Sequence, residues 1–191
     1  MMTSKTKKNI LLFLVCSALA AWNACKKDDD LVALPQPLKN EPEVITTLKL
    51  SFTDSANTGN VRVATFRDPD GDGGAAYDIF DTIRLQANKT WFAKIVLLNE
   101  AVTPADTMSK EVAAEKNDHL FCFTPSGSSA SVSITDRDGN NLPLGLLSTW
   151  RTGAAGNGFM RVELKHQVGT KTGACSPGET DIQVNFPVKI Q

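Results

Sequence analysis

Ile182-Gln183-Val184-Asn185-Phe186-Pro187-Val188-Lys189-Ile190 alternates apolar and polar side chains without a break. In an extended chain successive side chains point to opposite faces, so Ile182, Val184, Phe186, Val188 and Ile190 share one side. A helix would scatter the same residues around its circumference. The stretch therefore predicts a strand with one buried face. Pro187 has no N–H to give to a ladder, which predicts a sheet edge.

Working back from that strand, the same period recurs. Met160, Val162 and Leu164 mark a strand before it. Leu147–Thr152 is a weaker one, and Ser131–Thr135 turns Val132 and Ile134 inward. His119–Thr124 holds Phe121 and Phe123 in phase. Thr90–Leu98 is apolar on both faces toward its end, which predicts a central strand. Thr82–Leu85 and Val61–Phe66 are shorter. Val44, Thr46, Leu48, Leu50 and Phe52 share a face of the first. Only Ser109–Lys116, rich in Glu, Ala and Lys after an N-cap candidate at Thr107 or Ser109, predicts a helix. About nine short strands and one connecting helix predict an all-β protein, an antiparallel β-sandwich with immunoglobulin-like architecture.

Loop composition sorts the connections. If successive strands alternate in direction, 54–60, 86–89, 125–130 and 153–157 fall at one end, short and rich in Gly, Ser, Ala and Asn. The other end receives 67–81, 99–118, 136–146 and 167–181, which are long and carry most of the Asp and Glu. Long loops grouped on a rigid scaffold are where binding surfaces usually sit.

The first residues read as an address. Lys5, Lys7 and Lys8 precede an apolar run, Ile10–Trp22, too short to span a bilayer as a helix. This predicts a signal peptide over 1–24. Trp22-Asn23-Ala24-Cys25 resembles a bacterial lipobox, with Trp22 and Asn23 departing from the usual residues. The resemblance implies that Cys25 is lipidated and anchors the chain to a membrane. Residues 25–43, with Pro35, Pro37 and Pro42, predict an extended tether, and 44–191 the sandwich domain. The chain has 191 residues with 20 basic and 21 acidic side chains; loss of Lys5, Lys7 and Lys8 leaves 17 basic and 21 acidic. That balance gives no footing for nucleic acid.

Asp68-Pro69-Asp70-Gly71-Asp72-Gly73-Gly74 is the sharpest local motif. Carboxylates at alternate positions with glycines between them suit Ca2+, with Asp78 or Asp81 able to close the set from outside the register. The position where an EF-hand carries Glu is Ile79, so this is no EF-hand. The alternative is a turn whose carboxylates accept backbone N–H groups. Asp136-Arg137-Asp138-Gly139-Asn140 reads the same way, more weakly. His119 and His166 are the only histidines. One opens a strand and the other closes one, so antiparallel pairing would bring them together at the long-loop end near Glu179 and Asp181. Two imidazoles with carboxylates suit Zn2+ or a similar ion; two half-buried histidines bonded to loop backbone are the alternative. Cys122 and Cys175, left over in an exported chain, predict a disulfide, against a buried thiol at Cys122. No catalytic set is visible, and the expectation is a non-enzyme.

Lys26-Lys27-Asp28-Asp29-Asp30 after Cys25 resembles the starts of Bacteroidota surface lipoproteins. Glu43-Val44-Ile45-Thr46-Thr47, Phe66–Gly74, Leu97-Leu98-Asn99-Glu100 and Gly178-Glu179-Thr180-Asp181-Ile182 together resemble a group of small Bacteroidota cell-envelope lipoproteins, some labelled type 1 periplasmic-binding-fold proteins. That label fits poorly, because such a fold needs alternating βα units over roughly twice this length. The resemblance implies an outer-membrane lipoprotein displayed at the cell surface. The expectation is a binding or adhesion-like module for an envelope protein or glycan. The runner-up is a metal-binding lipoprotein using Asp68, Asp70, Asp72 and Asp81 for Ca2+, or His119, His166, Glu179 and Asp181 for Zn2+.

Overall fold

The computed structural model describes residues 43–71 and 74–191. The signal peptide, Cys25, the tether up to residue 42, and Asp72 lie outside the described residues.

Among the described residues, ten strands form two sheets that enclose one core. They are β1 (Thr47–Asp54), β2 (Asn57–Arg67), β3 (Ile79–Phe80), β4 (Ile83–Leu85), β5 (Thr90–Leu98), β6 (His119–Ser126), β7 (Ala130–Ile134), β8 (Leu147–Thr152), β9 (Gly156–His166) and β10 (Glu179–Ile190). One sheet runs β3-β2-β1-β5-β8-β7 and the other β4-β10-β9-β6. All pairs are antiparallel except β4 with β10. Among the described residues the protein is therefore mostly β and sandwich-like, with one short helix and no alternation of strand and helix.

Alternation decides which face is buried. Leu48, Leu50 and Phe52 from β1 meet Val162, Leu164, Val184 and Phe186 from the opposite sheet in the core. Trp150 of β8 lies edge-on to Phe52, 5.0 Å between ring centres, and to Phe123 of β6 at 5.8 Å. It thus ties the two sheets, and burying such a ring contributes on the order of 2–3 kcal/mol. β5 is central, between β1 and β8, as its composition predicts. The helix α1 (Met108–Ala114) starts from Thr107, whose side chain makes no capping bond, and buries Met108 and Val112, four residues apart on one face.

Several expectations need correction. Val44 is exposed rather than in the first strand's buried face, because regular pairing starts only at Thr47. Val61 and Val63 lie on the outer face of β2, opposite Thr53 and Ser51 of β1, while Ala64 and Phe66 turn to the core. The loop expected over 67–81 contains β3, a strand too short to show a period. β10 is not an edge strand: β4 pairs with Val188–Ile190, beginning one residue after Pro187. The proline thus sits where β10 leaves its partner, which satisfies the same lack of an N–H.

The expected sorting of loops is seen in the pairing. Thr47 pairs with Arg67 and Leu98, while His119 pairs with His166 and His166 with Glu179. The backbone N–H of Glu43 joins these two groups through the Asp181 carboxylate. The same end holds Arg67, which bonds Asp78 and, at 2.6 Å, Glu100.

Candidate functional site

β6 begins and β9 ends with a histidine, and the register sets His119 directly opposite His166. Each is in phase with the inward residues of its strand, so both rings enter the core side. They stack nearly parallel, with ring centres 4.6 Å apart and planes 8° apart. Asp181 reaches them through a β-bulge. Thr180 pairs with Lys165 and Ile182 with Leu164, leaving Asp181 as the extra residue. A bulge re-aims a side chain, and here it buries a carboxylate that plain alternation would leave outside.

The fourth group comes from the incoming chain. Glu43 Oε1 lies 3.9 Å from His119 Nε2, and Asp181 Oδ2 lies 3.7 Å from the same atom. His166 Nδ1 is 3.9 Å from Asp181 Oδ1. Glu115, at the end of α1, offers a further carboxylate; one donor atom each from Glu115, His119 and His166 lie within 4.8 Å of one another. Glu43 and Glu115 are not in the expected set. The only sequence sign of Glu115 is its place four residues before His119, and Glu43 falls in what reads as tether.

Protonation follows from the partners. His119 Nδ1 is 3.2 Å from the Glu115 carbonyl oxygen, which only accepts, so Nδ1 carries the hydrogen. Burial, reinforced by the neighbouring His166, pushes the His119 pKa down to about 4, so the ring is neutral at pH 7. Its Nε2 is then a bare lone pair, fully buried and without a hydrogen-bond partner. It points at two carboxylates. Burial, then the charges of Glu111, Asp181 and Glu115, push Glu43 up to about 7. Burial also raises Asp181. Burial thus holds both carboxyls toward their neutral form beside the His119 lone pair.

The loop joining His166 to Asp181 is held at several points. Cys175 is bridged to Cys122 of β6. Lys171 Nζ contacts Asp138 at 2.9 Å and donates to the Lys116 carbonyl at 2.7 Å. Gln167 donates to the carbonyls of Ala174 and Pro177. Gly178 has φ +115°, and a Cβ there would sit 2.5 Å from the His166 carbonyl oxygen. The chain can therefore turn back this tightly beside His166 only with glycine.

The other expected carboxylates are engaged elsewhere. Asp70 accepts the N–H of Ala75 at 2.6 Å and Asp81 that of Thr65 at 3.0 Å. Both are the turn and ladder roles that compete with a Ca2+ set. Asp136 accepts the N–H groups of Gly145 and Leu147, and Asp138 those of Asn140 and Leu142. Glu179 is exposed at the start of β10, and Asp68 lines a cleft beside Asp181.

No protein-family model matches the chain, and no curated protein or solved structure is significantly similar to it.

Proposed function

We propose that the chain is a lipid-anchored cell-envelope lipoprotein whose domain binds one divalent transition-metal ion, held by His119, His166 and Asp181. The observation that carries this is His119 Nε2, a buried lone pair facing carboxylate oxygens at 3.7 and 3.9 Å. Zinc with bonds of 2.0–2.2 Å in a tetrahedron spaces its ligands about 3.4 Å apart, so binding requires the stacked rings to turn until both nitrogens and an Asp181 oxygen converge. Two nitrogens with oxygen donors favour Zn2+ or a neighbouring metal over Ca2+, which takes oxygen alone.

Calorimetric titration of the chelator-treated protein tests this. Zn2+ should bind at one ion per chain, and a hundredfold excess over Kd should stabilise the fold by about 2.7 kcal/mol. His119→Ala and His166→Ala should each abolish binding, and Asp70→Asn should not. Binding that survives loss of both histidines would refute the assignment. The anchor rests on the lipobox-like Trp22–Cys25; Cys25→Ala should abolish labelling by a radioactive fatty acid, and equal label on both proteins would remove it.

A second reading, a module adhering to an envelope protein or glycan, is favoured by one feature. Tyr77, Ile79 and Phe80 are exposed together, with Tyr77 and Phe80 packed edge to face at 5.0 Å beside Phe66. Sugars stack on such rings. Tyr77→Ala should weaken binding to cell-envelope glycans, and no glycan binding by the wild type would end this reading.

A further inference from the structure

β8 is shorter than the strand it pairs with. Its first residue, Leu147, lies opposite Lys94, so residues 95–98 of β5 run on without it. Residues 144–146 instead cross toward the other sheet: the Leu146 carbonyl accepts the N–H of Ile95, and the Leu144 carbonyl that of Phe121 in β6. Gly145 makes the crossing at φ +99°, where a Cβ would lie 2.5 Å from that of Phe121. α1 covers the gap only in part. Met108 and Val112 join the core, while Lys110 and Ala113, three apart on another stripe, border the gap, and Ala113 is too short to close it.

What remains is a cavity of about 510 Å³, a size usual for small-ligand sites. Buried Ile95 and Leu144 line it together with the less covered Val96, Leu146 and Leu147. Leu147 is 46 % exposed, so an apolar ligand lying here would take hydrocarbon surface out of water on both sides.

Charge around the cavity is one-sided. Lys94, Lys110 and Lys116 line it, and among the described residues none of the three forms an ion pair. The acidic side chain in the wall, Asp136, has its two oxygens taken by the N–H groups of Gly145 and Leu147. Lysine stems lie along apolar surface while their ammonium groups stay at the water boundary. An apolar cavity bordered by unpaired ammonium groups matches a molecule with an aliphatic body and an anionic head. A polyanion would leave the apolar wall empty, and a plain hydrocarbon would leave the lysines without partners.

We propose that this cavity between α1 and β5 binds an aliphatic carboxylic acid as its anion, with the chain along Val96, Leu146 and Leu147 and the carboxylate among Lys94, Lys110 and Lys116. The site shares no residue with the histidine cluster and stands apart from the metal reading.

Calorimetric titration of the full-length protein with decanoate, kept below its micelle concentration, tests this. One decanoate should bind per chain. Decanol, which has the chain alone, should bind about tenfold more weakly, and acetate, which has the head alone, should give no saturable heat. Lys94→Gln, Lys110→Gln and Lys116→Gln together should weaken decanoate about tenfold, as three exposed charge contacts are lost, and leave decanol unchanged. Ala113→Trp should fill the cavity and abolish decanoate binding. Leu147→Asp, at an exposed position, should weaken it at least about tenfold by setting a second carboxylate in the wall. Circular dichroism checks that each variant is folded. No decanoate binding by the wild type, binding that survives both Ala113→Trp and Leu147→Asp, decanol held as tightly as decanoate, or attachment to vesicles of anionic lipid without uptake of decanoate overturns the proposal.

Discussion

Replacing Cys122 and Cys175 together by Ala measures how much the bridge contributes. The two residues are 53 apart in sequence, and the bridge forbids the unfolded chain from opening that loop. The loop-closure entropy for this length corresponds to about 4 kcal/mol at 25 °C. The folded state loses little in return. Cys122 is buried and Ala fits its space, while Lys171 and Gln167 still hold the 167–178 loop. For a domain of this size each kcal/mol is worth about 2–4 °C, so the melting temperature should fall by about 8–16 °C. Thermal unfolding followed by circular dichroism, with urea unfolding alongside, gives the number. The urea m-value should rise, since an unbridged chain exposes more surface. A loss of less than about 1 kcal/mol would refute the reasoning, because it would mean the unfolded chain is no freer without the bridge. Alkylation provides the control: both thiols of the wild type should resist it until reduced.

Three further outcomes are expected. Lys171→Met leaves the Asp138 carboxylate buried without its ammonium, and should cost about 3–5 kcal/mol in urea unfolding, partly restored by Asp138→Asn. Burial pushes Asp138 up, but the Lys171 ammonium and the Leu142 and Asn140 N–H groups outweigh it and hold its pKa below the usual value. A folded pKa below the unfolded one of about 3.9 gives stability that is complete above it and lost as pH falls through the folded value, so Asp138→Asn should flatten the stability profile below about pH 4. Gly178→Ala forces a Cβ toward the His166 carbonyl at a positive φ; it should cost about 1–3 kcal/mol and weaken Zn2+ binding in the same titration, and a neutral effect on both would separate the turn from the site.

Most of the strands were legible because burial on one face leaves a period of two. Thr90–Leu98 and Leu147–Thr152 end where the composition says they do. The meeting of His119 and His166 was legible as well, since strand direction alone sets which ends adjoin. What hid was decided by neighbours distant in sequence. Val61 and Val63 carry the right letters for a core strand, yet the pairing with β1 turns them to the outer face opposite Thr53 and Ser51. Asp181 reaches the histidines through a bulge, and a single extra residue in a strand leaves no mark in a pattern of apolar side chains. Glu43 escaped for another reason. It follows a proline-bearing segment with no periodicity, and its contacts in the domain, Asp181 and His119, are with residues far away in sequence.

The stretch Ile79–Leu85 spends two residues in one sheet and three in the other, pairing first with β2 and then with β10. It therefore covers part of an edge of each sheet at once, two residues of β2 and three of β10. An edge with unpaired N–H and C=O groups is a template on which another chain can add a strand, and proteins guard such edges because the result is aggregation. Here one short segment guards both, so anything that peels it away, a proteolytic nick or a badly placed proline, uncovers two sticky borders together. The apolar Tyr77, Ile79 and Phe80 travel with it. The same stretch buries Ile83 and Leu85 in the core, so peeling it away opens the interior as well as the two borders.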